Sequence, residues 1–60
     1  MSIMKKFLIK VYPDPKNNLK EEEMYVWVSC YKEAMECAWS FFPSRNVDAF
    51  DTGERYEYKC

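Results

Sequence analysis

Hydrophobic and polar positions alternate along the first segment of the chain, from Ile3 to Tyr12. Side chains of a strand point to opposite faces in turn, so this period of two predicts a β-strand. Proline cannot donate to a strand ladder, so Pro13 and Pro15 are expected to end it. One side of the strand carries Ile3, Phe7, Ile9 and Val11, with Lys5 as the odd member, and the other carries Lys6, Leu8, Lys10 and Tyr12.

A second alternating segment runs from Glu22 to Ser29. Met24, Val26 and Val28 share one side, and Tyr25 and Trp27 share the other. We expect antiparallel pairing with the first strand across a flexible loop that begins with the prolines and contains the turn residues 16–18. This pairing would bring the acidic run 21–23 near Lys10 or Lys16.

Tyr31 to Phe42 has the pattern of an amphipathic helix, because its polar residues fall within about 100° of a helical wheel. Ser29 is the expected N-cap, and Pro43 is the expected stop. The apolar arc is wide. We expect it to place Cys37 and Trp39 in the core, against one face of the sheet.

The remaining residues predict a hairpin: a short strand over Asn46–Phe50, a turn at Asp51-Thr52-Gly53-Glu54, and a last strand over Arg55–Cys60. In that last strand Tyr56 and Tyr58 share a face. The predicted fold is therefore a single α+β domain, residues 1–60. Its order is β-β-α-β-β, with one helix packed on one face of a small antiparallel sheet.

Composition narrows the possible functions. The 60 residues include eleven aromatic side chains, and nine basic residues balance ten acidic ones, for a net charge of −1. Nucleic-acid-binding proteins usually carry a basic excess, so that role is disfavoured. The apolar run 7–9 is too short for a signal peptide or a membrane span, so we expect a cytoplasmic protein with no membrane partner.

Catalytic chemistry finds little support. The chain has no His, one Gly and three Cys (Cys30, Cys37 and Cys60) without metal-ligand spacing, so we expect no metal, no cofactor and no enzyme activity. Cys60 is expected to be a free, reachable thiol. Asp51-Thr52-Gly53 matches the active-site tripeptide of aspartic proteases, but it is also ordinary turn sequence, which is the interpretation we favour.

The informative feature is the apolar surface that one helix cannot cover. If the helix packs on the Phe7 side of the sheet, no other predicted element is left to cover the opposite side. A contiguous aromatic surface of this kind usually marks an interface. The sequence does not decide whether Tyr56 and Tyr58 lie on that side of the sheet or in the core, because the register of the last strand is open. The candidate partner-binding residues are Leu8, Lys10, Tyr12, Tyr25, Trp27, Tyr56 and Tyr58.

Three functions fit this surface. The first is a protein-binding inhibitor or adaptor that uses the open sheet face or an edge strand. The second is a homodimeric structural or accessory subunit packed sheet on sheet. The third is single-stranded nucleic-acid binding, with bases stacked on the rings and with Lys6 and Lys10 at the phosphates; the nearby acidic run opposes it.

The chain also resembles a family of small bacteriophage proteins. The residues that carry the likeness are the lysine-led first strand (5–12), the second strand (22–28), the helix with Trp39, and the short charged tail ending in Cys60. In length and layout the chain is similar to the phage Dmd-type antitoxins, which block an RNA-cleaving host toxin. The resemblance implies stoichiometric inhibition of a host toxin or defence protein.

Overall fold

The computed structural model describes the backbone of residues 2–58 and the side chains of residues 3–57. Three strands and one helix follow each other along the chain: β1 (Ser2–Val11), β2 (Glu22–Val28), α1 (Tyr31–Phe41) and β3 (Val47–Tyr58). A short 3₁₀ turn, Pro15–Asn17, lies between β1 and β2, and Asn18 ends it with a positive φ of 56°. The small α+β class is thus confirmed. The predicted final strand segment from residue 59 onward, with Cys60, lies outside the described residues.

The strand that begins the chain is the middle of the sheet, whose order is β2-β1-β3. The predicted antiparallel pairing of the first two strands is confirmed, with Lys6 opposite Trp27 and Leu8 opposite Tyr25. Glu23 lies opposite Lys10, as the charge pattern indicated. Both neighbours of β1 run antiparallel to it, so β2 and β3 are the two edges.

The predicted β-β-α-β-β order is wrong, because the tail forms one strand rather than a hairpin. β3 pairs with β1 on both sides of the Asp-Thr-Gly segment: Phe7 lies opposite Asp51, and Lys5 lies opposite Arg55. Between these pairs, Thr52, Gly53 and Glu54 stand against Lys6 alone, which makes a bulge of two extra residues. Gly53 supplies the positive φ, 89°, that the bulge requires.

A hydrogen bond fixes this bulge to the central strand, since the Thr52 hydroxyl donates to the Lys6 carbonyl at 2.9 Å. Turn chemistry is therefore present where the sequence indicated it, but it bends a continuing strand instead of reversing the chain. Because the insertion is of two residues, the alternation of faces continues across it.

The core lies between α1 and one face of the sheet. The helix meets the sheet through Ala34 and Ala38, both fully buried, whose small side chains allow close approach. Five strand residues complete the core: Phe7, Ile9, Val11, Val28 and Ala49. Met24, Val26, Met35, Cys37, Phe42 and Val47 pack partly buried against it.

Two helix predictions need correction. The N-cap is Cys30, not Ser29; the Ser29 hydroxyl donates instead to the Glu33 carboxylate. Trp39, predicted in the core, is 56% exposed. At 100° per residue it lies about 120° around the helix from the line midway between Ala34 and Ala38, so a three-stranded sheet does not reach it.

Arg45, in the connection between α1 and β3, ties three segments together. Its Nη2 donates to the carbonyls of Tyr12 at 2.9 Å and of Lys20 at 2.8 Å, and its Nη1 lies 3.5 Å from the Glu22 carboxylate. The side chain is only 8% exposed. These two carbonyls belong to the two ends of the loop that joins β1 to β2. Arg45 therefore holds the ends of that loop together by hydrogen bonds from a different segment of the chain.

We expect Arg45→Met to lower the free energy of unfolding by about 2–3 kcal/mol, since it leaves two carbonyls without a charged donor. Arg55→Met is the matched control and should cost clearly less, because the Arg55 ion pair is exposed and screened by solvent. Urea unfolding of both variants measures the difference. Equal losses would contradict this role for Arg45.

Trp39→Ala should keep a cooperative unfolding transition and cost about 1 kcal/mol or less, because the side chain is largely exposed. Ile9→Ala, at a fully buried position, should cost about 2–5 kcal/mol. Thermal unfolding followed by circular dichroism compares the two. A Trp39→Ala protein as unstable as the Ile9→Ala protein would contradict the exposed position of Trp39 and indicate that its side chain is in the core.

Candidate functional site

The face of the sheet turned away from α1 carries most of the exposed aromatic side chains, and we call it the open face. Strand register places Phe50 opposite Leu8 and Tyr56 opposite Met4, so both β3 rings share the face of Lys6 and Lys10. Tyr25 and Trp27 lie on the same face of β2. The open face thus comprises Met4, Lys6, Leu8 and Lys10 of β1, Tyr25 and Trp27 of β2, Phe50 and Tyr56 of β3, and Tyr12 just beyond β1.

Lys6 stands at the centre of this face. Its Nζ lies 4.5 Å from the centroid of the Tyr25 ring and 5.9 Å from that of Trp27. The same ammonium lies 3.2 Å from the Glu54 carboxylate, which the bulge carries. Cation–π attraction and the ion pair together hold the two rings and the lysine in one cluster. The bulge therefore has a direct effect on the open face.

Tyr56 joins the cluster from the far strand. Its ring meets that of Trp27 nearly edge-on, at a centroid distance of 6.4 Å and an angle of 71°. The pair spans the central strand, because Trp27 and Tyr56 belong to β2 and β3. The question that the sequence left open is answered for Tyr56, which lies on the open face. The side chain of Tyr58 lies outside the described residues.

Lys10 is flanked by acids. In register it stands between Glu23 on β2 and Asp48 on β3, and its Nζ lies 5.8 Å from the centroid of the Tyr12 ring. Lys6 thus forms an ion pair with Glu54, while Glu23 and Asp48 are the cross-strand neighbours of Lys10. A surface with no positive excess is a poor match for a phosphate backbone, whose binding depends on charge neutralisation.

Asp51, the acid of the Asp-Thr-Gly segment, is engaged by its own strand. Arg55 donates to both carboxylate oxygens, at 2.8 and 2.9 Å, and the Gly53 N–H donates to one of them at 2.9 Å. These bonds, that of Arg55 first, lower the pKa of Asp51 to about 2. A protease carboxyl must share a proton with a second one. The Asp51 carboxylate instead stabilises the bulge.

A second exposed apolar strip lies along one flank of α1. Tyr31, Met35 and Trp39 follow each other at intervals of four residues and, with Lys32 and Glu36, line a shallow groove. Tyr31 also contacts Phe7, with ring centroids 6.3 Å apart, at the margin of the core. The groove is separate from the open face, because the sheet and the helix lie between them.

No group of three or more Cys, Asp or Glu side chains that could hold a metal ion occurs among residues 3–57. Within the described part of the chain, no helix is long and apolar enough to cross a membrane.

Sequence reasoning placed Leu8, Lys10, Tyr12, Tyr25 and Trp27 on one side of the sheet, and the structure brings them together with Tyr56. It missed Phe50, Lys6 as the centre of the cluster, and Glu54. Phe50 alternates with the inward residues Val47 and Ala49, a signal that could have placed it on the open face. Glu54 had no such signal, because its position depends on the bulge.

Comparison with protein-family models, with curated proteins and with solved structures finds no match for this chain.

The pKa of Asp51 offers a test of the bulge. Because the folded pKa of about 2 lies below the usual 3.8, the ionised carboxylate stabilises the fold above pH 4 or so. That contribution is lost as the pH falls from 3.8 towards 2. NMR titration of the side-chain carboxyl should give a midpoint near 2 in the native chain. In Arg55→Met the midpoint should move up towards 3.8, whereas Lys10→Met should leave it in place. An Asp51 midpoint near 3.8 in the native chain would contradict the bidentate pair.

Proposed function

We propose that this chain is a small protein-binding inhibitor or adaptor that covers a site on a larger protein with its open face, and that it acts by binding rather than by catalysis. The observation that carries the proposal is a ring cluster on a face of the sheet that no element among residues 2–58 covers. In it Tyr25 and Trp27 lie beside Lys6, and Tyr56 contacts Trp27. Tyr25 and Tyr56 are 58% and 60% exposed, and Trp27 is 44% exposed. Large rings with polar tips are the side chains most enriched at interface hot spots.

Charge supports a protein partner over a nucleic acid. Lys6 is paired with Glu54, and the cross-strand neighbours of Lys10 are Glu23 and Asp48, so the open face offers no excess of positive charge to the phosphates of a bound strand. The Lys6 ammonium also lies over the Tyr25 ring, where a base would stack. A protein surface needs no such excess of positive charge.

The rings of the cluster already contact one another or Lys6 in the single chain. Lys6 holds two rings, and the Trp27–Tyr56 contact links them across the sheet. A surface that is fixed before binding loses less side-chain entropy when the partner arrives. These contacts favour tight binding, which is what an inhibitor requires.

The narrower form of the proposal is that the partner is a host toxin or defence protein in the cytoplasm. It rests on the resemblance to the phage antitoxins in length and in the order of the first two strands and the helix, and on the chain's small size relative to its exposed aromatic surface.

The two tryptophans provide the test, because both are exposed but they lie on opposite sides of the molecule. The tagged chain is used to capture its partner from nuclease-treated extract of the cells that contain it, and the purified pair is measured by calorimetry. Trp27→Ala should weaken binding by about 2 kcal/mol or more, which is roughly thirtyfold in Kd. Trp39→Ala should bind as the native chain does.

Full binding by Trp27→Ala would contradict the proposal. A partner that is captured from untreated extract but not from nuclease-treated extract would favour the single-stranded nucleic-acid alternative instead.

A further inference from the structure

The two edges of the sheet differ. β3 is interrupted by its bulge and carries four charged side chains from its fifth residue onward: Asp51, Glu54, Arg55 and Glu57. Bulges and charges are the usual means by which proteins prevent an edge strand from pairing with another chain. β2 has neither a bulge nor a proline, and its seven residues pair with β1 without a register shift.

The outer side of β2 has no partner within the described part of the chain. Among residues 2–58, no loop or side-chain hydrogen bond reaches the backbone of Glu22–Val28 from outside the sheet. A strand at an edge presents alternate N–H and C=O groups outwards, so β2 offers a straight row of free backbone donors and acceptors. From these features we propose that β2 pairs antiparallel with β2 of a second copy of this chain.

The distribution of charge selects a second copy in the antiparallel sense. Glu21, Glu22 and Glu23 are at the start of β2, whereas residues 24–28 carry no charge. A parallel copy would set the acidic ends against each other. An antiparallel copy sets each acidic end beside the other copy's Trp27 and Val28, whose neighbours on β1 are Lys6 and Lys5.

Pairing over all seven residues places Tyr25 on the twofold axis. Tyr25 then faces Tyr25, Met24 faces Val26, and Glu23 faces Trp27. Met24 and Val26 are only partly buried in the single chain, and a neighbouring strand would cover their open sides. Aromatic and β-branched cross-strand pairs of this kind stabilise sheets.

Pairing through the β2 edges leaves the open face uncovered and doubles its area, because the open faces of the two copies become continuous. The two sheets become one of six strands, with Tyr25 and Trp27 of both copies contiguous at its centre. Each copy thereby contributes residues to the binding surface of the other. This last consequence rests on the proposed function, whereas the pairing itself does not.

Cross-linking at the axis tests the pairing. In a chain whose native cysteines are replaced (Cys30→Ser, Cys37→Ala, Cys60→Ser), Tyr25→Cys should form a disulfide-linked dimer under mild oxidation. Directly opposite residues of an antiparallel pair have Cα atoms about 4.5–5.5 Å apart, which a disulfide spans. Phe50→Cys is the matched control, since it is similarly exposed on the same face but lies on β3. It should remain largely monomeric at the same protein concentration.

Light scattering of the reduced chain over a concentration range gives the second readout. The native chain and Tyr25→Phe should form a dimer, and Tyr25→Lys, checked for folding by circular dichroism, should raise the dissociation constant roughly tenfold or more, because like charges would meet at the axis.

A native chain that stays monomeric throughout, or a dimer that links through Phe50→Cys and tolerates Tyr25→Lys, would overturn the pairing. The second result would indicate face-to-face packing. A dimer that behaves as proposed, together with full partner binding by Trp27→Ala, would overturn the proposed function and leave the pairing standing.

Discussion

One helix can cover only one face of a sheet, and this constraint shapes the rest of the molecule. The helix approaches through Ala34 and Ala38, and the side chains beneath it form the core. The other face must meet solvent or a partner. It does so with rings rather than with charged side chains alone, which is why the open face is the part of the molecule where function is best sought.

The open face is more than a set of exposed rings. The Asp-Thr-Gly bulge brings Glu54 to Lys6, and Lys6 in turn lies over Tyr25 and Trp27. A local feature of one edge strand therefore contributes a carboxylate to the surface at the centre of the sheet. The same bulge interrupts the β3 edge, so the two edges of the sheet have different capacities for pairing.

The elements with strong periodicity could be predicted from sequence: β1 and β2 from alternation, and α1 from its polar arc. β3 could not, because Asp51-Thr52-Gly53 has the same turn chemistry in a hairpin and in a bulge. Only the pairing of Phe7 with Asp51 and of Lys5 with Arg55 distinguishes them. Trp39 was misplaced for a related reason: a wide apolar arc does not show which line of the helix faces the sheet. The candidate site was predicted more fully, since Leu8, Tyr25 and Trp27 follow directly from strand parity.

In the proposed function the open face, and not the helix groove, meets the partner. The chain contains two tryptophan indole N–H groups, one on each side of the molecule, and both can be followed in a ¹⁵N–¹H NMR spectrum as captured partner is added. We expect the Trp27 indole signal to shift or broaden as partner is added, up to saturation, while that of Trp39 stays in place. A Trp39 signal that moves while Trp27 stays unchanged would contradict it.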